Sequence, residues 1–212
     1  YSVDLPISNG YYIQETQAPY AYIRNSKDVY SFNFNVLPET QAKATFSHTF
    51  NNDRTTAKIH IYKVDKETGK AVPQGDASLS GAVYGLYARE VINHPDGATG
   101  VMFNAGDLVA TLTTDEKGEA EVNNLYLGKY YVKEITPSEG YLLDEEEHDV
   151  VCDYEGDLVA EVSRSTTSAE QVIKQPFQLI KVSDNGDDTE AGLLAGAEFT
   201  AYLKSSLSVK AD

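Results

Sequence analysis

The chain has 212 residues, 41% of them hydrophobic, with one cysteine, no tryptophan and fifteen tyrosines. Such a composition buries a core and is not that of a disordered chain, and a formal charge of −16 argues against nucleic acid or an anionic membrane as a partner. No apolar run reaches membrane-spanning length, a lone Cys152 excludes an intrachain disulfide, and a start at Tyr1 suggests a processed chain or an excised piece of a longer one.

In chain order, short alternating runs are separated by turn signals, a pattern that predicts strands rather than helices. The first is "NGYYIQETQAPYAY" at 9–22, where Tyr11, Ile13 and Glu15 share one face of a strand. Next comes "FSHTFNNDR" at 46–54, in which Asn52 has the parity of Phe46, His48 and Phe50; a bulge would bring Asn51 inward instead. "AKIHIYKVD" at 57–65 places Lys63 on the face of Ile59 and Ile61, and "GAVYGLY" follows at 81–87. Residues 89–106 form a long loop and the best place for a binding surface. "GEAEVNN" (118–124) and "GKYYVKE" (128–134) alternate in turn, the second aligning Tyr130, Val132 and Glu134. "DEEEHD" at 144–149 reads as a solvated edge or loop, and "FQLIKVSD" at 177–184 aligns Phe177, Leu179 and Lys181. The expected central core is Ile59, Ile61, Val83, Leu86, Leu125, Tyr130 and Val132.

An internal repeat sets the domain count. Lys63 and Lys181 lie 118 residues apart, Glu15 and Glu134 lie 119 apart, and "GAVYGLY" returns as "GAEFTAY" at 196–202. The chain therefore reads as an array: the C-terminal half of one repeat (1–54), a complete repeat (55–175) and the N-terminal half of a third (176–212). The two terminal halves are complementary. One carries Glu15 and Asn52, the other Lys181, and strand exchange between copies would bring them together.

Two lysines and two glutamates on apolar faces need partners. One reading is a buried ion pair, or a lysine whose ammonium reaches water. The other is self-made covalent chemistry. Burial lowers a lysine pKa and raises a glutamate pKa, leaving a neutral amine beside a proton donor. With a neighbouring side-chain carbonyl, that combination makes an isopeptide bond.

"YYIQETQAPYAY" resembles the Y-x-L-x-E-T-x-A-P-x-G-Y box of Gram-positive pilins and surface adhesins, departing at Ile13 and Ala21. "YYVKEITPSEGY" keeps Tyr130, Glu134, Gly140 and Tyr141 of that box. "IYKVDKETGK" is similar to the first-strand segment of the collagen-adhesin B-type (Cna-B, SpaA-like) domain, and "SLSGAVYGLY" and "LLAGAEFTAY" to its second strand. The resemblance implies an all-β, transthyretin-like or reverse-immunoglobulin sandwich, repeated in a linear array outside a Gram-positive cell and attached to its wall. It also implies a Lys–Asn or Lys–Asp isopeptide bond promoted by the box glutamate, with Glu15 and Glu134 in that role and Lys63, Lys181 and Asn52 as cross-link candidates. No Asn or Asp occurs from 158 to 183, however. The complete repeat is therefore expected to lack the bond, to hold Lys63 within hydrogen-bonding reach of Glu134, and to offer Glu170 as its one nearby side-chain carbonyl.

The remaining groups point to no enzyme. His48, His60, His94 and His148 have no spacing suited to a metal, Cys152 reads as a packed residue, and "SDNGDDTE" at 183–190 lacks the full pattern of calcium ligands. No cofactor or metal is expected. The function expected is a stalk or pilin-like module of a cell-wall-anchored surface protein, presenting an adhesive tip, whose partners are neighbouring repeats. The alternative is an adhesin module that binds host protein or glycan.

Overall fold

A computed structural model describes residues 4–6, 8–34, 46–184, 186 and 195–203. Part of the 183–190 segment lies outside them. Among the described residues there are eleven strands and no helix: β1 (Ser8–Gln14), β2 (Val29–Phe34), β3 (Thr56–Asp65), β4 (Val83–Ala88), β5 (Ile92–Asn93), β6 (Val101–Phe103), β7 (Leu108–Thr113), β8 (Glu119–Leu125), β9 (Gly128–Thr136), β10 (His148–Cys152) and β11 (Glu161–Glu170).

Strands β3 to β11 build a sandwich. One sheet has the order β10-β9-β4-β7, the other β11-β3-β8. Period-two alternation sends one face of each sheet inward. Ala57, Ile59 and Ile61 of β3 and Val162 of β11 meet Tyr84, Leu86 and Ala88 of β4, and Tyr130 and Val132 of β9, in a single apolar cluster. The expected core residues are all buried except Val83, which is only half-buried. Val83 and Leu86 differ in parity, so one strand cannot point both inward, and Tyr84 takes the place assigned to Val83.

Most neighbours in the two sheets are antiparallel. The exception is β3 and β11, the first and last strands of the sandwich, which run parallel in continuous register from Thr56 opposite Glu161 to Asp65 opposite Glu170. Along both strands the inward face changes character. The N-terminal end is apolar, but at the other end Lys63 and Asp65 face Ser168 and Glu170, all buried.

Residues 89–106 are not a plain loop. They fold back as the β5–β6 hairpin, anchored by the buried side chain of Ile92. Ahead of the sandwich, β1 and β2 form an antiparallel pair. An aromatic column covers it: Tyr30 stacks on Phe32 and on His48, Phe46 packs on Phe32, and His48 meets Phe50 edge-on. The parity read for Phe46, His48, Phe50 and Asn52 describes this column.

The tight turn before β8 brings Gly118 against β3, where its carbonyl accepts from Lys63 N at 2.8 Å. Gly118 has φ of +76°, and a Cβ there would lie 2.7 Å from the backbone oxygen of Lys63. Gly118→Ala is expected to destabilise the fold by about 1–3 kcal/mol, combining left-handed strain with a backbone clash. Gly97→Ala, where φ is +71° but the space is open, supplies the comparison. Urea unfolding of both variants checks this; equal losses would show that the approach to Lys63 contributes nothing.

Candidate functional site: a buried lysine between two carboxylates

Lys63 lies near the C-terminal end of β3, fully enclosed. Its Nζ donates to Glu134 Oε1 on β9, across the sandwich, at 3.4 Å. The expected reach between the two is therefore met. The same Nζ is in direct contact with Glu170 Oε2 on β11, and the Tyr141 ring lies beneath it with its centroid 4.8 Å away. One cation thus faces two buried carboxylates.

The two carboxylates are held differently. Glu134 Oε2 accepts from the backbone N of Asp144 at 2.8 Å. Glu170 Oε1 accepts from the Tyr84 hydroxyl at 2.5 Å and from Ser168 Oγ at 3.3 Å. Oε2 of Glu170 has no hydrogen bond of its own and only the lysine before it. Burial lowers the Lys63 pKa, although Glu134 and Asp144 oppose the shift. Burial likewise raises the Glu134 carboxyl against the opposing Asp144 amide and Lys63. Both shifts favour a neutral amine beside a neutral acid, the state that makes an amine nucleophilic and an acid able to give up a proton.

Beside this cluster, Asp65 Oδ2 accepts from the Tyr141 hydroxyl at 3.1 Å, and Asp65 Oδ1 receives Thr68 N at 2.8 Å. Burial pushes the Asp65 carboxyl up, but these bonds and those from Gln74 hold it below its ordinary value. The "DEEEHD" segment is not simply solvated. Asp144 and His148 are half-buried, and Asp144 Oδ2 pairs with His148 Nε2 at 2.8 Å and accepts from Ser168 Oγ at 2.9 Å. Asp144, Glu146 and His148, one histidine with two carboxylates, place ligand atoms within 4.8 Å of one another. Cys152 is a buried core residue, and burial pushes its thiol up to about 11.

The preceding unit repeats the arrangement. Glu15 Oε2 accepts from Asn25 N at 2.8 Å and from Asn52 Nδ2 at 2.6 Å. Thr55 N donates to Ala21 O as Ile173 N donates to Gly140 O, and Ile23 N donates to Asp53 O as Leu142 N donates to Gln171 O. Tyr22 bridges to Arg54 as Tyr141 bridges to Val172. The offsets are again 118 or 119, and on that scale Asn25 maps to Asp144 and Asn52 to Glu170. The position of the expected asparagine is therefore filled by a glutamate in the sandwich. Glu170, expected from the sequence as the one nearby side-chain carbonyl, lies 118 residues after Asn52, the same spacing that separates the two lysines. Lys181 is not drawn inward. Within the single chain it is exposed and its Nζ donates to Val182 O; the exchange expected to bring it to Glu15 and Asn52 is one between copies.

Residues 57–166 match the family described as SpaA, prealbumin-like fold domain. That span is about half of the chain, and the chain belongs to this family. Among solved structures, the Bacillus anthracis TIE protein is similar at 24% identity and a TM-score of 0.55, over 80% of this chain and 26% of that one. The group B streptococcus pilus 2b backbone protein (22% identity, TM-score 0.39) is matched over 57% of this chain and 43% of its own. GBS52, the minor pilin of the Gram-positive pathogen Streptococcus agalactiae (22%, TM-score 0.37), is matched over 60% and 49%. At 24% identity the likeness to the TIE protein is one of fold, and the chain spans between about a quarter and a half of each of these proteins. No curated protein matches it. Among the described residues, no helix is long and apolar enough to cross a membrane.

Removing Lys63 strands the two carboxylates. Leaving a buried carboxylate without its partner costs about 3–5 kcal/mol, so Lys63→Ala should lower the unfolding free energy by that order at pH 7. The Glu134 carboxyl sits above its unfolded value, so its folded form takes up protons first. A raised group stabilises below its unfolded pKa, about 4.3, and loses that contribution as pH rises through the folded value. Lys63 is among the groups that hold this rise back, so its removal raises the carboxyl further, the variant gains more than the parent as pH falls, and the deficit should shrink from pH 7 to pH 5. Urea unfolding at both values checks it, and a deficit independent of pH would count against the arrangement.

Proposed function

We propose that the chain is part of a stalk or pilin-like array, outside a Gram-positive cell and attached to its wall, that holds an adhesive tip away from the surface. The repeats are 1–54, about 55–175 and 176–212. One observation carries the reading: the parallel pairing of β3 with β11. The chain enters the sandwich at the N-terminal end of β3 and leaves at the C-terminal end of β11. Ten residues at about 3.3 Å each separate entry from exit by roughly 30 Å. A pull on the array therefore shears the whole ladder at once instead of opening it pair by pair.

In the sandwich, Lys63 and Glu170 form an amide, in place of the non-covalent pair expected from the sequence. The new bond joins Nζ to Cδ of Glu170, and the Cδ–Oε2 bond breaks. Starting from ammonium and carboxylate, two protons leave Nζ and pass through Glu134 to Oε2, which departs as water. Oε1 remains as the amide oxygen, held by Tyr84 and Ser168. Such a bond joins the first strand to the last and removes residues 64–169 from the load. In the preceding unit Asn52 and Glu15 take the corresponding roles.

Intact-mass measurement tests the staple. The protein is expected to be lighter than its sequence by the mass of one water, Glu170→Gln by that of one ammonia, and Glu134→Ala by neither. An unmodified mass in the parent protein would leave Lys63, Glu134 and Glu170 as a non-covalent cluster. Single-molecule stretching tests the stalk itself, which fails if the sandwich unravels at low force through all of its residues.

A ligand-binding adhesin is the second reading. A cavity of about 290 Å3, lined by Tyr20, Tyr126, Asn93 and His94 among others, opens beside the 89–106 hairpin. Aromatic faces and amide groups suit a host glycan or protein side chain, and binding on a glycan array would favour this reading.

A further inference from the structure

Five residues outside any strand carry contacts that neither the fold nor the lysine site requires. Immediately after Glu15, the segment 16–24 turns away from β1 and lies on the loop that joins β10 to β11. Ala18 and Ala21 are buried there, and Ala21 holds a left-handed φ of 63°, a conformation that costs a residue with a Cβ. Ala18 N donates to Asp157 Oδ2 at 3.1 Å, and Arg24 N donates to Asp157 O at 2.8 Å, while Arg24 Nε lies 3.7 Å from the same carboxylate. The Tyr20 ring meets Tyr154 edge-on at 4.9 Å, and the Tyr154 hydroxyl donates to Tyr22 O at 3.5 Å.

A second attachment involves the turn between β8 and β9. Arg54 Nη1 donates to Leu125 O, and Nη2 donates to both the backbone and side-chain oxygens of Asn124, at 2.6–2.8 Å. Its guanidinium covers the Tyr126 ring 4.2 Å from the centroid. The guanidinium can hold this fork rigidly because its donors lie in one plane.

We infer that segment 16–24 is a docking element whose partner is the N-terminal end of the following repeat, with Asp157 and Arg54 as its two fasteners. The inference rests on the array reading and deepens it. A single covalent crossing at residues 54–56 would leave two repeats free to bend about the linker. Contacts on the β8–β9 turn and on the β10–β11 loop add two points away from the crossing, and three points that are not in line fix an orientation. The stalk is then stiff against bending as well as against extension. Residues 135–143, which follow Glu134 as 16–24 follow Glu15, offer the corresponding surface to the next repeat.

NMR relaxation on the full chain tests this. Amides of residues 8–34 and of 56–170 are expected to report one rotational correlation time in the parent protein. In Asp157→Ala combined with Arg54→Lys, the shared tumbling should be lost and residues 8–34 should tumble faster, with sandwich chemical shifts remote from the joint unchanged. Asp157→Ala alone, the milder change, should give a smaller loss. Separate correlation times in the parent protein, or shared tumbling in the double variant, would overturn the joint. Neither outcome bears on force resistance within the sandwich, so failure of the joint is distinct from failure of the stalk.

Discussion

An amine taken wholly out of water sets the terms for one end of this sandwich. Lys63 must be neutralised, paired or consumed, because an isolated buried charge is too costly to keep. The polar end of the core follows from that demand: Glu134 from the opposite sheet, Glu170 from the parallel neighbour, and Tyr84 and Ser168 to hold the outer oxygen of Glu170. Glu134 in turn is fixed by an amide of the 144–149 segment. A site assembled from the first strand, the last strand and the facing sheet can form only when the whole domain has closed. Position in the sequence thereby becomes a check on completion of the fold.

The two units show how one layout accommodates two different side chains, Asn52 and Glu170. At Asn52 the side-chain amide itself donates to Glu15 and to Ile23 O, so the glutamate orients the amide. A carboxylate at Glu170 cannot donate when ionised, and it is oriented by donors from Tyr84 and Ser168 instead. Those two hydroxyls are the local adjustment that lets a glutamate occupy a position read as asparagine.

Alternation and the 118-residue spacing made most of this legible in the sequence. Ile59, Ile61 and Lys63 share a face because side chains alternate along a strand, and Glu134 follows Tyr130 and Val132 for the same reason. The aromatic column ending at Asn52 was readable in the same way. Legibility failed where the parity of a strand is taken wrongly or where contacts are set by tertiary structure. In β4 the buried side chains are Tyr84, Leu86 and Ala88, so regular alternation puts Tyr84, not Val83, in the core. Residues 89–106 have too few alternating positions to announce a hairpin, and Ile92 is buried by its surroundings rather than by any local pattern. Asp144, Ser168 and Tyr84 lie far apart in sequence and carry no motif, so only the closed sandwich brings them to the lysine.

The parallel β3–β11 ladder also governs when the protein can fold. Its two strands are separated by almost the entire domain, so the ladder cannot form while the last strand is still unmade or still inside a transport channel. Contacts of such long sequence separation pay a large loop-closure cost before they return anything, and they fold slowly. A nascent chain therefore remains unclosed, and competent to be threaded, until Glu170 has emerged. In the array proposed above, late closure would be an advantage: the topology suited to resist extension would also delay folding until the chain has been delivered.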